Sequence, residues 1–379
     1  MSAVDHEVTA RAWDVVVIGG GQAALAVGFY LRRTGLRFVI LDDQPAPGGA
    51  WQHHWPSLRL FSPAQWSSLP GWMLPREVGD RDAKPRDDEY PTRDEVIRYL
   101  AEYERRYSLP VERPVRVHAV HADLLHQESE GLSIDTSAGL IQAGAVVSAT
   151  GTWSNPVVPA LPGRDEFRGR ILHSAHYPGV EPFAGQRVIV VGGGNSGAQI
   201  VAELSGVADV KWATLEPPTF LPEHVDGRYL FEQETARYRA IQEGRTPEPR
   251  HSLGDIVLVP PVRAALARGD LAAVPMFARF TPEGVAWADG REACADAVIF
   301  ATGFHPALAH IEPLGIVDAR GRVAMAPGSA TKVAADLPLW LVGYGEWTGF
   351  ASATLIGVGR SARSTVEEIA SVLNQSSTK

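Results

Sequence analysis

The sequence predicts an α/β architecture in which one doubly wound domain is interrupted by a second. Three observations predict it. An apolar strand, a glycine turn and a helix follow one another near the N-terminus, at residues 15–18, 19–21 and 22–33. The same unit recurs midway, at residues 188–191, 192–194 and 195–205. Both strands are unbroken apolar runs, which suits parallel strands covered on both faces. A chain of 379 residues is long enough for two cores.

The first turn places Gly19, Gly21 and Ala24 at the three small positions of a G-x-G-x-x-G/A pattern. The first allows the tight turn, the second leaves room for a pyrophosphate, and the third lets helix and strand pack closely. The helix opening at Gln22 presents free N–H groups to phosphates. The next strand, 37–41, ends in Asp42, whose carboxylate is placed to accept both ribose hydroxyls of an adenosine. In the second turn Gly192, Gly194 and Gly197 complete the triplet, with Asn195 and Ser196 at the helix mouth. The strand after it, 210–214, runs into Leu215 and Glu216, and Glu216 stands at nearly the offset that Asp42 has in the first unit. A glycine triplet alone is weak evidence; a triplet framed by strand, helix and acid is stronger.

Two such units imply two dinucleotides, or one dinucleotide and a vestige. One site at the N-terminus and one midway is the order expected of two nested Rossmann-like domains, an FAD domain interrupted by a smaller NAD(P) domain. The expected division is 1–160 for the first part of the FAD domain, 161–303 for the NAD(P) domain and 304–379 for the returning part. Residues 155–163 carry three prolines after a strand expected at 145–149 and read as the joint. Residues 76–90 read as an exposed loop, 216–255 as an irregular insert holding a helix near 229–242, and 374–379 as a frayed tail.

Composition excludes several classes. The formal net charge of −9 disfavours nucleic-acid binding. No apolar run reaches membrane-helix length, and the first residues do not resemble a signal peptide, so a cytoplasmic location is expected by elimination. Cys294 is the only cysteine. It cannot form a redox pair or zinc cluster, and it is expected to be a small buried residue. His53 and His54 lack partners for a metal site.

Several further segments resemble the flavin-containing monooxygenases, grouped with Baeyer–Villiger and N-hydroxylating enzymes. Gly48-Gly49-Ala50-Trp51 is similar to the family's GGxW flavin segment. Residues 167–177 fit its identifying FxGxxxHxxxY pattern without a gap, through Phe167, Gly169, His173 and Tyr177. Ala149-Thr150-Gly151 and Ala301-Thr302-Gly303 resemble the segments where the chain crosses between domains, and 343–354 the returning flavin segment. The resemblance spans about Trp13 to Arg363 and is nearest to short bacterial members that oxidise thioethers and accept NADH or NADPH. It implies FAD held by Gly19, Gly21, Gln22, Ala24, Asp42, Gly49, Trp51, Ser62, Trp347 and Thr354. It implies NADH or NADPH held by Gly192, Gly194, Asn195, Ser196, Gly197, Leu215 and Glu216. It also implies a small apolar substrate, O2 as co-substrate, and a homodimer.

In this family hydride-reduced flavin reacts with oxygen to give a C4a-hydroperoxide that oxygenates sulfur, nitrogen or ketones. The cofactor carries that chemistry, so no catalytic triad is needed. His173 is expected to couple the domains rather than act as acid or base. Two departures stand out. Phe61 occupies the place of the usual flavin-side asparagine and cannot donate a hydrogen bond, so leakage to hydrogen peroxide is expected. Leu215 and Glu216 replace the arginine and threonine of NADPH-strict members. Glu216 repels a 2′-phosphate, so NADH is expected to serve at least as well, unless Lys211 or Arg228 restores phosphate binding. Thioether sulfoxidation is the favoured activity. A peroxide-releasing reductase or oxidase, a Baeyer–Villiger or N-hydroxylating enzyme, and a redox-sensing module remain open. A disulfide reductase is disfavoured by the single cysteine.

Overall fold

The computed structural model describes residues 11–75, 90–122, 131–246, 255–349 and 351–376. The chain opens with β1 (Arg11–Ile18), α1 (Gln22–Leu31), β2 (Phe38–Leu41), α2 (Arg93–Arg106) and β3 (Val111–Glu112). β4 (Val117–Ala122), β5 (Leu132–Thr136) and β6 (Gly139–Ser148) then form an antiparallel meander. Next come β7 (Arg170–His173), β8 (Arg187–Val191), α3 (Asn195–Leu204), β9 (Asp209–Thr214), α4 (Gly227–Gln242), α5 (Pro260–Arg268) and β10 (Ala273–Pro275). β11 (Arg279–Thr281), β12 (Gly284–Ala286) and β13 (Glu292–Cys294) make a small antiparallel layer before β14 (Ala297–Phe300). β15 (Leu339–Leu341) and α6 (Val358–Ser376) end the described chain.

Two larger sheets result. The first runs β3-β2-β1-β6-β5-β4, with β15 also paired to β6. The second runs β10-β9-β8-β14-β7 with every pairing parallel. β15 returns to the first sheet by pairing Leu339–Leu341 in parallel with Val146–Ser148. The excursion through the second sheet therefore lies between two strands of the first.

The two crossings are zipped together. Val157 N donates to Gly303 O at 2.9 Å, His305 N to Asn155 O at 2.8 Å, and Ala307 N to Gly151 O at 2.9 Å. The proline-bearing joint is thus half of a two-stranded connection. Pro156 bridges Phe304 within it.

Continuous burial explains the apolar runs. Val15, Val16 and Val17 are fully buried, as are Val190 and Ile299 in the second sheet. α1 buries eight of its residues, because it lies between the sheet and α6. Val358, Ala362, Val366 and Ile369 form one stripe of α6 at helical spacing and enter that core. Each large side chain buried there contributes about 1.5–3 kcal/mol. α2 begins with a capping box: Thr92 Oγ1 accepts from Glu95 N, and Glu95 Oε2 accepts from Thr92 N at 2.6 Å. No helix among the described residues is long and apolar enough to cross a membrane.

Three expectations change. Cys294 is exposed, because β13 lies in the thin antiparallel layer and turns this side chain outward. The tail does not fray from Asn374; α6 continues to Ser376, and Gln375 Nε2 reaches back to Ser371 Oγ at 3.3 Å. Of the loop expected at 76–90, residues 76–89 lie outside the described residues, and Tyr90 is buried against Trp55 and Leu58 in the core.

Candidate functional site

The two glycine turns have the same local cause. Gly19 has φ +106°, and a Cβ there would lie 2.5 Å from the carbonyl oxygen of Ala149. Gly192 has φ +125°, and a Cβ there would overlap the carbonyl oxygen of Ala301. Each turn therefore presses against an Ala-Thr-Gly segment at the end of the neighbouring strand, β6 in one sheet and β14 in the other. Glycine is required on both counts, handedness and contact.

Behind each turn a helix opens without a side-chain cap, at Gly21 for α1 and at Gly194 for α3. Their first N–H groups are unpaired donors at the positive end of a helix, which suits an anion. Around Gly21 the nearest neighbour to an added Cβ is the Cα of Gly49 at 3.9 Å, so backbone lies open where a pyrophosphate needs to approach. A cleft of about 1160 Å³ extends from this turn. Gly19, Gly21, Gln22, Asp42, Gly49, Trp51, Thr150, Gly343 and Ala353 line it, and its size suits a dinucleotide. Ala24 lies behind the turn, fully buried.

Asp42 is 2% exposed and already engaged. Its Oδ2 accepts from Arg113 Nε at 3.0 Å and its Oδ1 from Gln44 N at 3.2 Å. Arg113 is itself held by two 2.8 Å bonds to the Glu104 carboxylate. Burial pushes the Asp42 carboxyl up from its ordinary value, opposed by the Gln44 N–H and by Arg113. Each carboxylate oxygen keeps a second lone pair for a ribose hydroxyl. Nothing local in the sequence marked Arg113 or Glu104; they reach Asp42 only through tertiary packing.

A smaller cavity of about 110 Å³ adjoins the cleft, and Gln22, Trp51 and Ala353 line both. The smaller cavity is walled by Leu60, Phe61, Ser62, Trp66, Phe231, Thr354, Leu355 and Ile356 among others, none of them charged. Phe61, Ser62 and Thr354 are thus gathered beside Trp51. Trp347 is not: it lies outside the lining of both cavities and packs against Tyr344, ring centroids 5.8 Å apart. Tyr344 Oη meets Ser148 Oγ at 2.5 Å and Thr150 Oγ1 at 2.7 Å, tying the returning segment to the end of β6.

In the second unit Leu215 is 91% exposed and Glu216 is exposed beyond β9. Gly197 admits no side chain, since a Cβ would overlap the Gly192 carbonyl. Ser196 is half-buried at the start of α3. The Asn195 amide is anchored within the protein, donating to Asp255 O and accepting from Val257 N, both at 2.9 Å, and keeps a second N–H and a second lone pair. Arg228 sits 3.9 Å from Asp226.

His173 ends β7, buried, with Nδ1 accepting from Ala175 N at 3.1 Å. Burial lowers its pKa. Its ring meets Phe304 edge-on at 4.8 Å; Phe304 stacks on Trp153 at 5.4 Å, Trp153 meets His54 at 4.6 Å, and His54 meets Trp51 at 5.4 Å. A continuous aromatic chain therefore joins the fingerprint histidine of the second sheet to the tryptophan at the mouth of the small cavity. α3 adds another tie: Glu203 accepts from Trp55 Nε1 at 3.1 Å and from Ser57 Oγ at 2.7 Å.

Two interleaved sheets, one mixed and one parallel, each carrying a strand that runs through a glycine turn into an uncapped helix, define an oxidoreductase of the two-dinucleotide class. The family described as pyridine nucleotide-disulphide oxidoreductase matches residues 16–220. A flavin-containing monooxygenase from Stenotrophomonas maltophilia is 49% identical in sequence, with a TM-score of 0.83 over 96% of this chain and 99% of that one. An uncharacterized CzcO-like oxidoreductase from Geobacillus kaustophilus is 28% identical over 358 residues, 94% of this chain and 98% of the relative. An indole-3-pyruvate monooxygenase from Oryza sativa subsp. japonica is 28% identical over 76% of this chain and 73% of its own length. The chain belongs to the pyridine nucleotide-disulphide oxidoreductase family and, within it, to the flavin-containing monooxygenases. It is an FAD-dependent monooxygenase that draws on NAD(P)H.

Proposed function

We propose that this monooxygenase converts small thioethers to sulfoxides and accepts NADH at least as readily as NADPH. The observation that carries this reading is the small cavity's chemistry. Its lining is uncharged, which disfavours cationic amines and carboxylates. Its hydroxyls are also spent. Ser67 Oγ can donate to Ser62 O or Pro63 O, leaving the Ser62 hydroxyl to donate to Ser67 Oγ, while Thr354 Oγ1 donates to Ala351 O. A ketone asks for a donor at its oxygen; a thioether sulfur asks for almost none. A soft, apolar sulfur compound therefore fits this wall best.

We read residues 1–160 and 304–379 as the FAD-binding domain and 161–303 as the NAD(P)-binding domain. The Gly19–Gly21 turn, Gln22 and Asp42 would hold the FAD pyrophosphate and ribose, with Gly49, Trp51, Ser62 and Thr354 towards the cavity. Gly192, Gly194, Gly197 and the α3 opening would hold the second pyrophosphate, with Ser196 beside it. Bound FAD supplies hydride acceptance and oxygen activation. The protein's part is to bind, orient and exclude water. In the balanced reaction a thioether, O2, NADH and a proton give sulfoxide, water and NAD+. One oxygen atom bonds to sulfur through its lone pair, the O–O bond breaks, and the other atom leaves as water.

Exposed Leu215 and Glu216 support NADH use, since neither can pair with a 2′-phosphate and Glu216 repels it. Arg228, near Asp226, has its charge partly answered already. The test is steady-state turnover of ethyl methyl sulfide with each nucleotide, with sulfoxide quantified by chromatography. Sulfoxide formed with NADH is expected. Nucleotide consumption with hydrogen peroxide as the sole product would refute the oxygenation.

A further inference from the structure

We infer that Phe231, carried by α4, is a size gate for the thioether site, so that substrate range is set partly by the insert of the second sheet's domain. This rests on the reading of the small cavity as the thioether site. α4 belongs to the segment between β9 and α5, yet its first turn sits on the flavin-side segment of the other sheet's domain. Gly227 N donates to Phe61 O at 2.8 Å. A Cβ on Gly227 would lie 2.6 Å from Ser62 Cβ and 2.9 Å from Phe61 Cδ2, so this close seating requires glycine. One turn further on, Phe231 faces Trp66, ring centroids 5.9 Å apart at 56°. Both rings line the cavity, along with Gln22 and Trp51.

Magnitude makes the gate matter. A dry apolar cavity of about 150 Å³ holds one benzene ring. The cavity here is about 110 Å³. Dialkyl sulfides fit within it, whereas an aryl group requires either ring to move. We assign the movement to Phe231, because it reaches the cavity from the insert between β9 and α5, whereas Trp66 sits in a 3-10 turn of the segment that carries Phe61 and Ser62, its backbone N–H donating to Pro63 O at 2.8 Å. Pockets discriminate by about 10- to 200-fold for a single methylene misfit, so a phenyl misfit is readily measured.

The test uses the FAD-loaded enzyme and the variants Phe231→Ala and Phe231→Leu. Dimethyl sulfide, methyl phenyl sulfide and diphenyl sulfide are compared by kcat/KM for sulfoxide formation. Each sulfide is also titrated against oxidised enzyme, with perturbation of the flavin absorbance reporting Kd without turnover. The diphenyl-to-dimethyl ratio of kcat/KM should rise at least tenfold in Phe231→Ala and by less in Phe231→Leu, with diphenyl sulfide Kd falling in parallel. If Phe231→Ala fails to retain FAD, Phe231→Leu carries the comparison. Unchanged ratios and unchanged Kd values in a wild-type enzyme that makes sulfoxide would overturn the gate alone. Wild-type enzyme that makes no sulfoxide would overturn the thioether reading, and the gate would then stand or fall on whether the variants tighten diphenyl sulfide binding.

Discussion

Gln22 holds both sides of the cavity mouth with one amide: its Oε1 accepts from Trp51 Nε1 at 3.0 Å while its Nε2 donates to Ala353 O at 2.7 Å. The opening residue of α1, the Gly-Gly-x-Trp segment and the returning segment are thereby fixed to one another. Each bond contributes about 1 kcal/mol. Gln22→Leu should weaken FAD binding by about tenfold, read by flavin fluorescence on apo-protein. Gln22→Glu should lose less, because a carboxylate still accepts from Trp51 but cannot donate to Ala353. Equal affinity in all three proteins would remove Gln22 from the account.

Arg113 is expected to matter more for stability than its distance from the chemistry suggests. Its half-hidden guanidinium pairs with the buried Asp42 and with Glu104. Removing one partner of a buried charge network leaves the others uncompensated, at about 3–5 kcal/mol. Arg113→Ala should lower the apo-protein melting temperature and impair FAD retention together. A variant that melts like wild type would show that the network is idle.

Histidine burial sets an acid limit on stability. Burial lowers His310 to about 4, and burial, His53 and Arg93 together lower His54 to about 4. Both lie below the ordinary histidine value of 6.5. Between those values the unfolded chain binds more protons than the folded one, so stability present at neutral pH is lost as pH falls from 6.5 towards 4. The slope is about 1.4 kcal/mol per pH unit for each histidine. His310→Gln should flatten the dependence of urea-unfolding free energy on pH by up to one histidine's share. A slope equal to wild type would contradict the assignment.

Phe61 contributes no hydrogen-bond donor where it lines the small cavity. A substantial share of the NADH consumed should therefore appear as hydrogen peroxide, and Phe61→Asn should lower that share. Peroxide per NADH, measured with and without thioether, decides it; full coupling in the wild type would contradict the role given to this residue.

The nucleotide preference has its own limit. A hundredfold advantage of NADPH in kcat/KM, about 2.7 kcal/mol, would refute the role given to Leu215 and Glu216. Leu215→Arg combined with Glu216→Thr should shift the ratio towards NADPH by about tenfold.

What the chain announced in advance was local. The turns at Gly19 and Gly192 were legible because a tight reversal and a close backbone approach demand glycine within a short framed motif. Even there, the contact of each turn with the backbone of Ala149 or Ala301 is a tertiary fact that no spacing rule shows. α2 carries a readable mark of its start, Thr92 followed three residues on by Glu95. Arg113, Glu203 and Phe231 were invisible because each acts on a segment distant in the chain. Trp347, in the glycine-rich returning segment, is half-buried and packs against Tyr344 at the edge of a core, a placement that its neighbours in the chain do not specify.

NADH-derived electrons and molecular oxygen are proposed to be spent on sulfur at the cavity beside Trp51. The direct measurement is a single turnover of the NADH-reduced, FAD-loaded enzyme mixed with oxygen-18 gas and ethyl methyl sulfide. Sulfoxide whose oxygen carries the heavy isotope is the predicted result. Labelled peroxide or water with no labelled sulfoxide would contradict it.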